Sequence, residues 1–455
     1  MTTSPPDSAT ANDRRFALVS DRVVTPEGVR AAALLVRGGQ IEAILPPEPA
    51  PAGVVIEDLS GLVISPGLVD AHVHINEPGR TEWEGFETAT RAAAAGGVTT
   101  LVDMPLNSSP VTTTADALDA KQAAARGKCH VDLGFHGGLV SERFADVEAL
   151  IDAGVCGVKA FLCDSGLEES PGAGEPQLRA ALPLLARRGV PLLVHAEIVA
   201  DGAAPGPIRS YGDWVRVRPA EFESRAIALM LRLCREFRAA VHVVHLATGP
   251  ETETFAAAQR AGLPFTAETC PHYLHFAADE LADADVRYKC APPIRGREDR
   301  QQLWQGLLGG AIRTIGSDHS PCPPVMKRTA DGDWRQAWGG ISSLQLTLPI
   351  GWTGAASRGA TLAQEAQGPA THPAELCGLP RKGRLAAGCD ADLCVWDPDE
   401  RWTIVGAELH HRHKLTPYDG QTVQGRVTRT YVRGQLAYDG GSFPAGPIGA
   451  LLRRG

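Results

Sequence analysis

Between residues 62 and 318 of this 455-residue chain, short apolar runs of strand character recur eight times, with longer stretches between them. The runs are 62–75 (LVISPGLVDAHVHI), 98–105, 130–140, 155–162, 190–197, 240–247, 264–274 and 311–318. Several intervening segments, such as RAIALMLRLCREF, have helical periodicity. Strands that alternate with helices predict parallel pairing in an α/β fold, and eight such units predict a (β/α)8 TIM-like barrel over 66–379. Outside that region the habit changes. Residues 16–65 and 380–445 carry short β-type runs broken by Gly-Gly and similar turn signals, as in antiparallel hairpins. Both ends are expected to combine into one small discontinuous β-sandwich. Residues 1–15, polar and rich in Ser, Thr, Pro and Asp, are expected to be a disordered tail.

Composition excludes several function classes. A net charge of −9 argues against nucleic acid as a partner, because its binding surfaces are basic. No apolar run reaches the roughly 18 residues that a membrane-spanning helix needs. The N-terminus has no apolar stretch behind its charges, unlike a secretory signal. Ten cysteines are scattered without a CxxC pair, which reads as reduced thiols in a cytoplasmic protein.

Chemistry concentrates where the runs end. His72 and His74, two apart on a strand, point to one face and can reach one ion. Lys159, His195, His245 and Asp318 stand near the ends of the fourth, fifth, sixth and eighth runs. A barrel of this type builds its active site at the C-terminal ends of its strands. Four imidazoles and a carboxylate gathered there make a ligand set for zinc or a similar divalent ion. His242, at an odd spacing from His245, falls on the opposite strand face and is expected to be structural. Lys159 fits poorly, because an ammonium offers no lone pair to a cation. Two readings stand side by side: a salt-bridged core lysine, or a neutral amine that reacts with CO2 to give an anionic carbamate.

Certain motifs go further than spacing. They are GLVDAHVHINEPGRTEWEGFETATRAAAAGGVTTLVDMPLNSSPVTT, GVKAFLCDSG, ETCPHYL, KCAPPIRG, SDHSPCPPVMK and AWGGISSLQ. Through them the chain resembles the cyclic amidohydrolases of the amidohydrolase superfamily and, within these, is similar to the allantoinases. The resemblance implies a metal-dependent hydrolase that opens the ring of allantoin to allantoate in purine catabolism. It implies two divalent ions, zinc first, with cobalt, manganese and iron as alternatives. His72, His74 and Asp318 would hold one ion, His195 and His245 the other, and Lys159, carboxylated to N6-carboxylysine, would bridge both. A hydroxide held by both ions would attack the ring carbonyl. Asp318 would take its proton and return it to the leaving nitrogen, acting as base and then acid. Backbone groups at Ala291 and Gly340 would hold the cyclic ureide. Family members are often tetramers, so a homo-oligomer is implied as well.

Two relatives with the same ligand set differ from this chain at one position each. Dihydroorotases place Arg two residues after the second histidine, where it meets the substrate carboxylate; Asn76 stands there in this chain. Hydantoinases and dihydropyrimidinases carry an oxyanion-donating Tyr five residues after the lysine, a position held by Asp164. A non-catalytic scaffold of the same fold would lack ligand residues, and all six are present.

Overall fold

The computed structural model describes residues 15–49, 53–140, 144–199 and 206–455. Apart from Arg15, the tail expected over 1–15 lies outside the described residues.

The described strands are, in chain order, β1 (Arg15–Thr25), β2 (Gly28–Arg37), β3 (Gln40–Leu45), β4 (Val55–Asp58), β5 (Val63–Pro66), β6 (Leu68–Val73), β7 (Val98–Asp103), β8 (Asp132–Phe135) and β9 (Gly137–Leu139). They continue with β10 (Val158–Phe161), β11 (Leu192–His195), β12 (Val241–Val243), β13 (Phe265–Thr269), β14 (Thr314–Ile315), β15 (Leu393–Thr403), β16 (Thr422–Val432) and β17 (Gln435–Asp439).

Parallel pairing runs β6-β7-β8 and then β9-β10-β11-β12-β13-β14. A parallel bridge between Val73 and His319 brings the end of this series back to its start. Strands β6 and β7 are buried along their whole length. Helices cover parallel strands on the outside, so these strands read as continuous apolar runs. The fold is thus the barrel-type α/β architecture, and helices such as Glu221–Phe237 turn an apolar stripe inward.

The chain ends supply a separate sheet in the order β17-β16-β15-β5-β1-β2-β3, with β4 also paired to β1. Most of its pairings are antiparallel; β1 with β4 and β1 with β5 are parallel. It has its own apolar core, including Leu18, Leu34, Ile64, Leu393 and Val395.

The boundary between the two units is sharp. The run expected as one strand over 62–75 breaks at Gly67, where β5 joins the end sheet and β6 enters the barrel. A Cβ on Gly67 would lie 2.2 Å from Thr99 Cγ2, so the backbone can pass there only without a side chain. The run 264–274 is likewise shorter in space. Its strand stops at Thr269, and Pro271 opens a helix over Pro271–His275. Proline has no N–H to continue a ladder and is preformed for the first helical turn.

Candidate active site

The residues singled out from the strand ends meet at one end of the barrel. His195 closes β11, while His74, His245 and Asp318 lie just beyond β6, β12 and β14. His245 and Asp318 have φ of 43° and 45°, the left-handed region that non-glycine residues rarely occupy. Such strain clusters at functional sites. It also means that strand alternation does not aim His245. His242 remains within the strand, with hydrogen bonds to Thr266 Oγ1 at 2.8 Å and Thr314 Oγ1 at 3.2 Å, in keeping with a structural role.

The outer ring nitrogens are fixed, which decides what the inner ones can do. His74 donates from Nδ1 to the Leu106 carbonyl at 2.6 Å. His72 Nδ1 pairs with Glu268 Oε1 at 2.6 Å, and His195 Nε2 with Glu197 Oε2 at 2.8 Å. These bonds leave His72 Nε2, His74 Nε2 and His195 Nδ1 with lone pairs turned inward, the arrangement a metal-binding histidine needs. His72 Nε2 and His74 Nε2 lie 3.3 and 3.4 Å from Asp318 Oδ1. Donors bound tetrahedrally at zinc distances stand about 3.4 Å apart. His195 Nδ1 and His245 Nε2 face each other at 2.9 Å, the separation of about 2.9 Å expected for two ligands at a right angle on one ion. These three spacings fit donors shared by a divalent ion. Among the described residues His72, His74 and Asp318 form one group able to hold a metal, and His195 belongs to another with Cys163 and Glu197.

Lys159 is 2% exposed, and its Nζ has no hydrogen-bond partner among the described residues. Among the described residues no salt bridge holds it, so the first of its two readings finds no carboxylate partner there. Burial pulls its pKa down to about 8, against the opposing pull of Asp318 and Glu268. Free amine is thus accessible near neutral pH. Burial also opposes ionisation of Asp318, but His72, His74 and His245 outweigh it and hold the carboxyl well below its ordinary value. Burial raises Glu268 to about 8. Glu197 is the opposite case: Arg218 and His195 overcome burial and bring it to about 2. Arg218 donates from Nε to Glu197 Oε1 at 3.2 Å and also pairs with Oε2, so a buried ion pair orients His195.

A cavity of 390 Å³ opens above these groups. Its walls include Asn107, Asp164, Trp214, Lys289, Ala291, Ser320 and the segment 335–340. Ala291 presents backbone N–H and C=O groups with no partner among the described residues. Gly340 is more committed: its N–H donates to the Lys289 carbonyl at 2.8 Å and its own carbonyl accepts from the Lys327 ammonium. Only the second lone pair of that carbonyl is left for a ligand. Asn76 does not line the cavity. It is 1% exposed, with φ 67°, and its amide bonds Asn107 and the Pro321 carbonyl. Asp164 does line it, while its Oδ1 accepts from the Gly166 N–H at 2.9 Å.

Several supporting groups escaped the sequence reading. Glu197 could have been found, since two residues beyond His195 is a same-face spacing. Glu268, Lys289 and Lys327 fall within the motifs ETCPHYL, KCAPPIRG and SDHSPCPPVMK, but no spacing pointed to their partners, and Arg218 lies in none of the motifs; all four reach the site only through the fold.

Comparison with known proteins gives the family. Residues 63–437 match the amidohydrolase family. An allantoinase from Streptomyces avermitilis is 45% identical over 97% of this chain and 99% of its own length. One from Arabidopsis thaliana is 40% identical, covering 95% and 90%. Among solved structures, an L-hydantoinase from Arthrobacter aurescens superposes with a TM-score of 0.91 at 29% identity, over 96% of this chain and 100% of that one. The chain belongs to the amidohydrolase family and, within it, to the allantoinases.

Proposed function

We propose that the chain hydrolyses the ring amide of allantoin to give allantoate, with His72, His74, Lys159, His195, His245 and Asp318 holding two divalent ions. The observation that carries this reading is the set of inward lone pairs at ligand spacing around Asp318 Oδ1, beside the pair formed by His195 and His245. Five imidazole and carboxylate ligands are too many for one catalytic zinc with an open position. Two bound ions would polarise the ring carbonyl and lower the pKa of a coordinated water. Zinc suits imidazole and carboxylate donors; cobalt, manganese and iron suit them too.

The chain's own residues do the rest. Lys159, buried and without a hydrogen-bond partner among the described residues, reacts as free amine with CO2: its nitrogen bonds the carbon, one proton leaves, and an anionic carbamate remains as an oxygen ligand. Asp318, kept ionised by its histidines, accepts the proton of the attacking water and delivers it to the ring nitrogen as the C–N bond breaks. The free backbone groups of Ala291 and the remaining lone pair of Gly340 O receive the ring. The arginine that dihydroorotases place two residues after the second histidine is replaced by Asn76, which is buried and bonded elsewhere. This favours a neutral ring bearing a polar ureido arm.

The hydantoinase neighbours support a second reading, in which a simple hydantoin or dihydropyrimidine is the preferred ring. One assay separates the two. Metal-loaded protein should show kcat/KM for allantoin at least about 10²-fold above that for hydantoin, dihydrouracil or dihydroorotate. Faster opening of hydantoin or dihydrouracil would overturn the allantoin assignment and leave the metal site standing.

A cytoplasmic setting is proposed from the ten cysteines, all free and nine of them buried. No helix among the described residues is long and apolar enough to cross a membrane. A homotetramer follows from the family resemblance and is tested by light scattering.

A further inference from the structure

We propose that Lys289 and Lys327 are positioning residues for the substrate, because their buried ammonium groups clamp the 335–340 wall of the cavity onto the segment that carries Ala291. Lys289 Nζ donates to the carbonyls of Ala337 at 2.6 Å and Arg335 at 3.1 Å. Lys327 Nζ donates to the Gly340 carbonyl and, at 3.4 Å, to the carbonyl of Lys289 itself. The Gly340 N–H closes the loop by donating to that same Lys289 carbonyl at 2.8 Å. Two segments of the cavity wall are thereby joined by two side chains and one backbone bond.

The arrangement is expensive as a purely structural device. Both lysines are 6% exposed, and among the described residues neither is paired with a carboxylate. Burial lowers both pKa values, that of Lys289 to about 7, where the Lys327 charge adds to the effect. Buried cations that only carbonyls compensate usually cost stability relative to apolar side chains of similar size. Lys289 also sits 4.5 Å above the face of Trp214, another wall of the cavity. The clamp acts where tolerance is least. A Cβ on Gly340 would lie 2.3 Å from the Ser320 carbonyl oxygen, and Ser320 Oγ donates to Asp318 Oδ1 at 2.9 Å. Lys327 therefore holds the carbonyl of a residue packed against Ser320, whose hydroxyl bonds the proton-transferring carboxylate.

This inference rests on the allantoin reading above, in which Ala291 and Gly340 face the substrate. Steady-state kinetics of the metal-loaded full chain test it. Lys327→Met and Lys289→Met should each raise KM for allantoin about 10-fold or more, with kcat within about 3-fold and metal content per chain unchanged. Lys327→Gln, which keeps a donor for Gly340, should fall between. A purely structural role would instead lower the active fraction and leave KM alone. Amide exchange in the unmodified protein gives a measurement that needs no variant: the Gly340 N–H should be protected before any ligand is added. Soluble variants with the parent KM, or rapid exchange at Gly340, overturn the inference. If the unmodified protein fails to open allantoin, the functional reading falls instead.

Discussion

At the scale of single residues, the site depends on which nitrogen or oxygen is left unoccupied. Asp318 Oδ1 takes Ser320 Oγ at 2.9 Å and two imidazole nitrogens at 3.3 and 3.4 Å, so its charge is shared among several partners. Asp318→Asn removes that charge and the proton acceptor together. It should lower kcat by at least about 10²–10⁴-fold, the range of general acid–base assistance. Turnover near that of the parent would take Asp318 out of the mechanism. Lys159 gives a test with a defined pH sign. Only its free amine reacts with CO2, and its pKa of about 8 makes that form increase as pH rises through 8. Metal-free protein should lose activity, and recovery with zinc at a fixed concentration of dissolved CO2, with bicarbonate raised to hold it, should be faster at pH 8.5 than at 6.5. Recovery independent of both pH and bicarbonate would contradict the carbamate.

At the scale of elements, burial has placed a carboxylate where it cannot ionise cheaply. Glu365 belongs to the short helix Leu362–Ala366, which opens with a capping box between Thr361 and Gln364. Its Oε1 has no hydrogen-bond partner among the described residues, and burial raises its pKa to about 8 from an ordinary 4.5. Between those values the folded chain keeps a proton that the unfolded chain has lost. Stability contributed at Glu365 therefore falls as pH rises from about 4.5 to 8. Glu365→Gln, isosteric and uncharged, should flatten the decline of Tm between pH 6 and 8.5. Parallel declines in the two proteins would show that Glu365 does not titrate across this window.

At the scale of the whole molecule, the barrel and the end sheet are joined by a buried ionic knot. Lys382 Nζ bonds Asp132, Asp390 and Asp392 at 2.6, 2.9 and 2.7 Å. Arg433 pairs with Asp132 as well, and its backbone N–H donates to Asp392 Oδ1 at 2.8 Å. Asp132 opens the barrel strand β8, while Arg433 follows β16 of the end sheet. The C-terminal segment adds to the seam, with Leu451 bridged in parallel to Leu133 and Arg454 bonded to the carbonyls of Cys156 and Leu376. Lys382→Ala leaves three buried carboxylates with Arg433 and the largely exposed Arg381 as their cations and should cost about 3–5 kcal/mol. Calorimetry should show a lower Tm while metal content at low temperature stays at the parent level. An unchanged Tm would mean that the knot does not contribute to joining the units.

Much of this was readable from the order of residues alone. Strand and helix periods marked the barrel units, and the positions of His72, His74, Lys159, His195, His245 and Asp318 marked the end where chemistry would gather. Those signals are local: each depends on residues a few places apart, where chain geometry allows few alternatives. The breaks at Gly67 and Pro271 were legible in kind, since one residue lacks a side chain and the other an N–H, but the space around Gly67 was not. Folding alone chose the partners. His72 meets Glu268 across 196 residues, and Lys327 holds the Gly340 carbonyl while Lys289 holds that of Ala337. No spacing encodes such contacts, because they exist only once distant segments have been packed side by side and their buried polar groups must be satisfied by whatever the fold brings near.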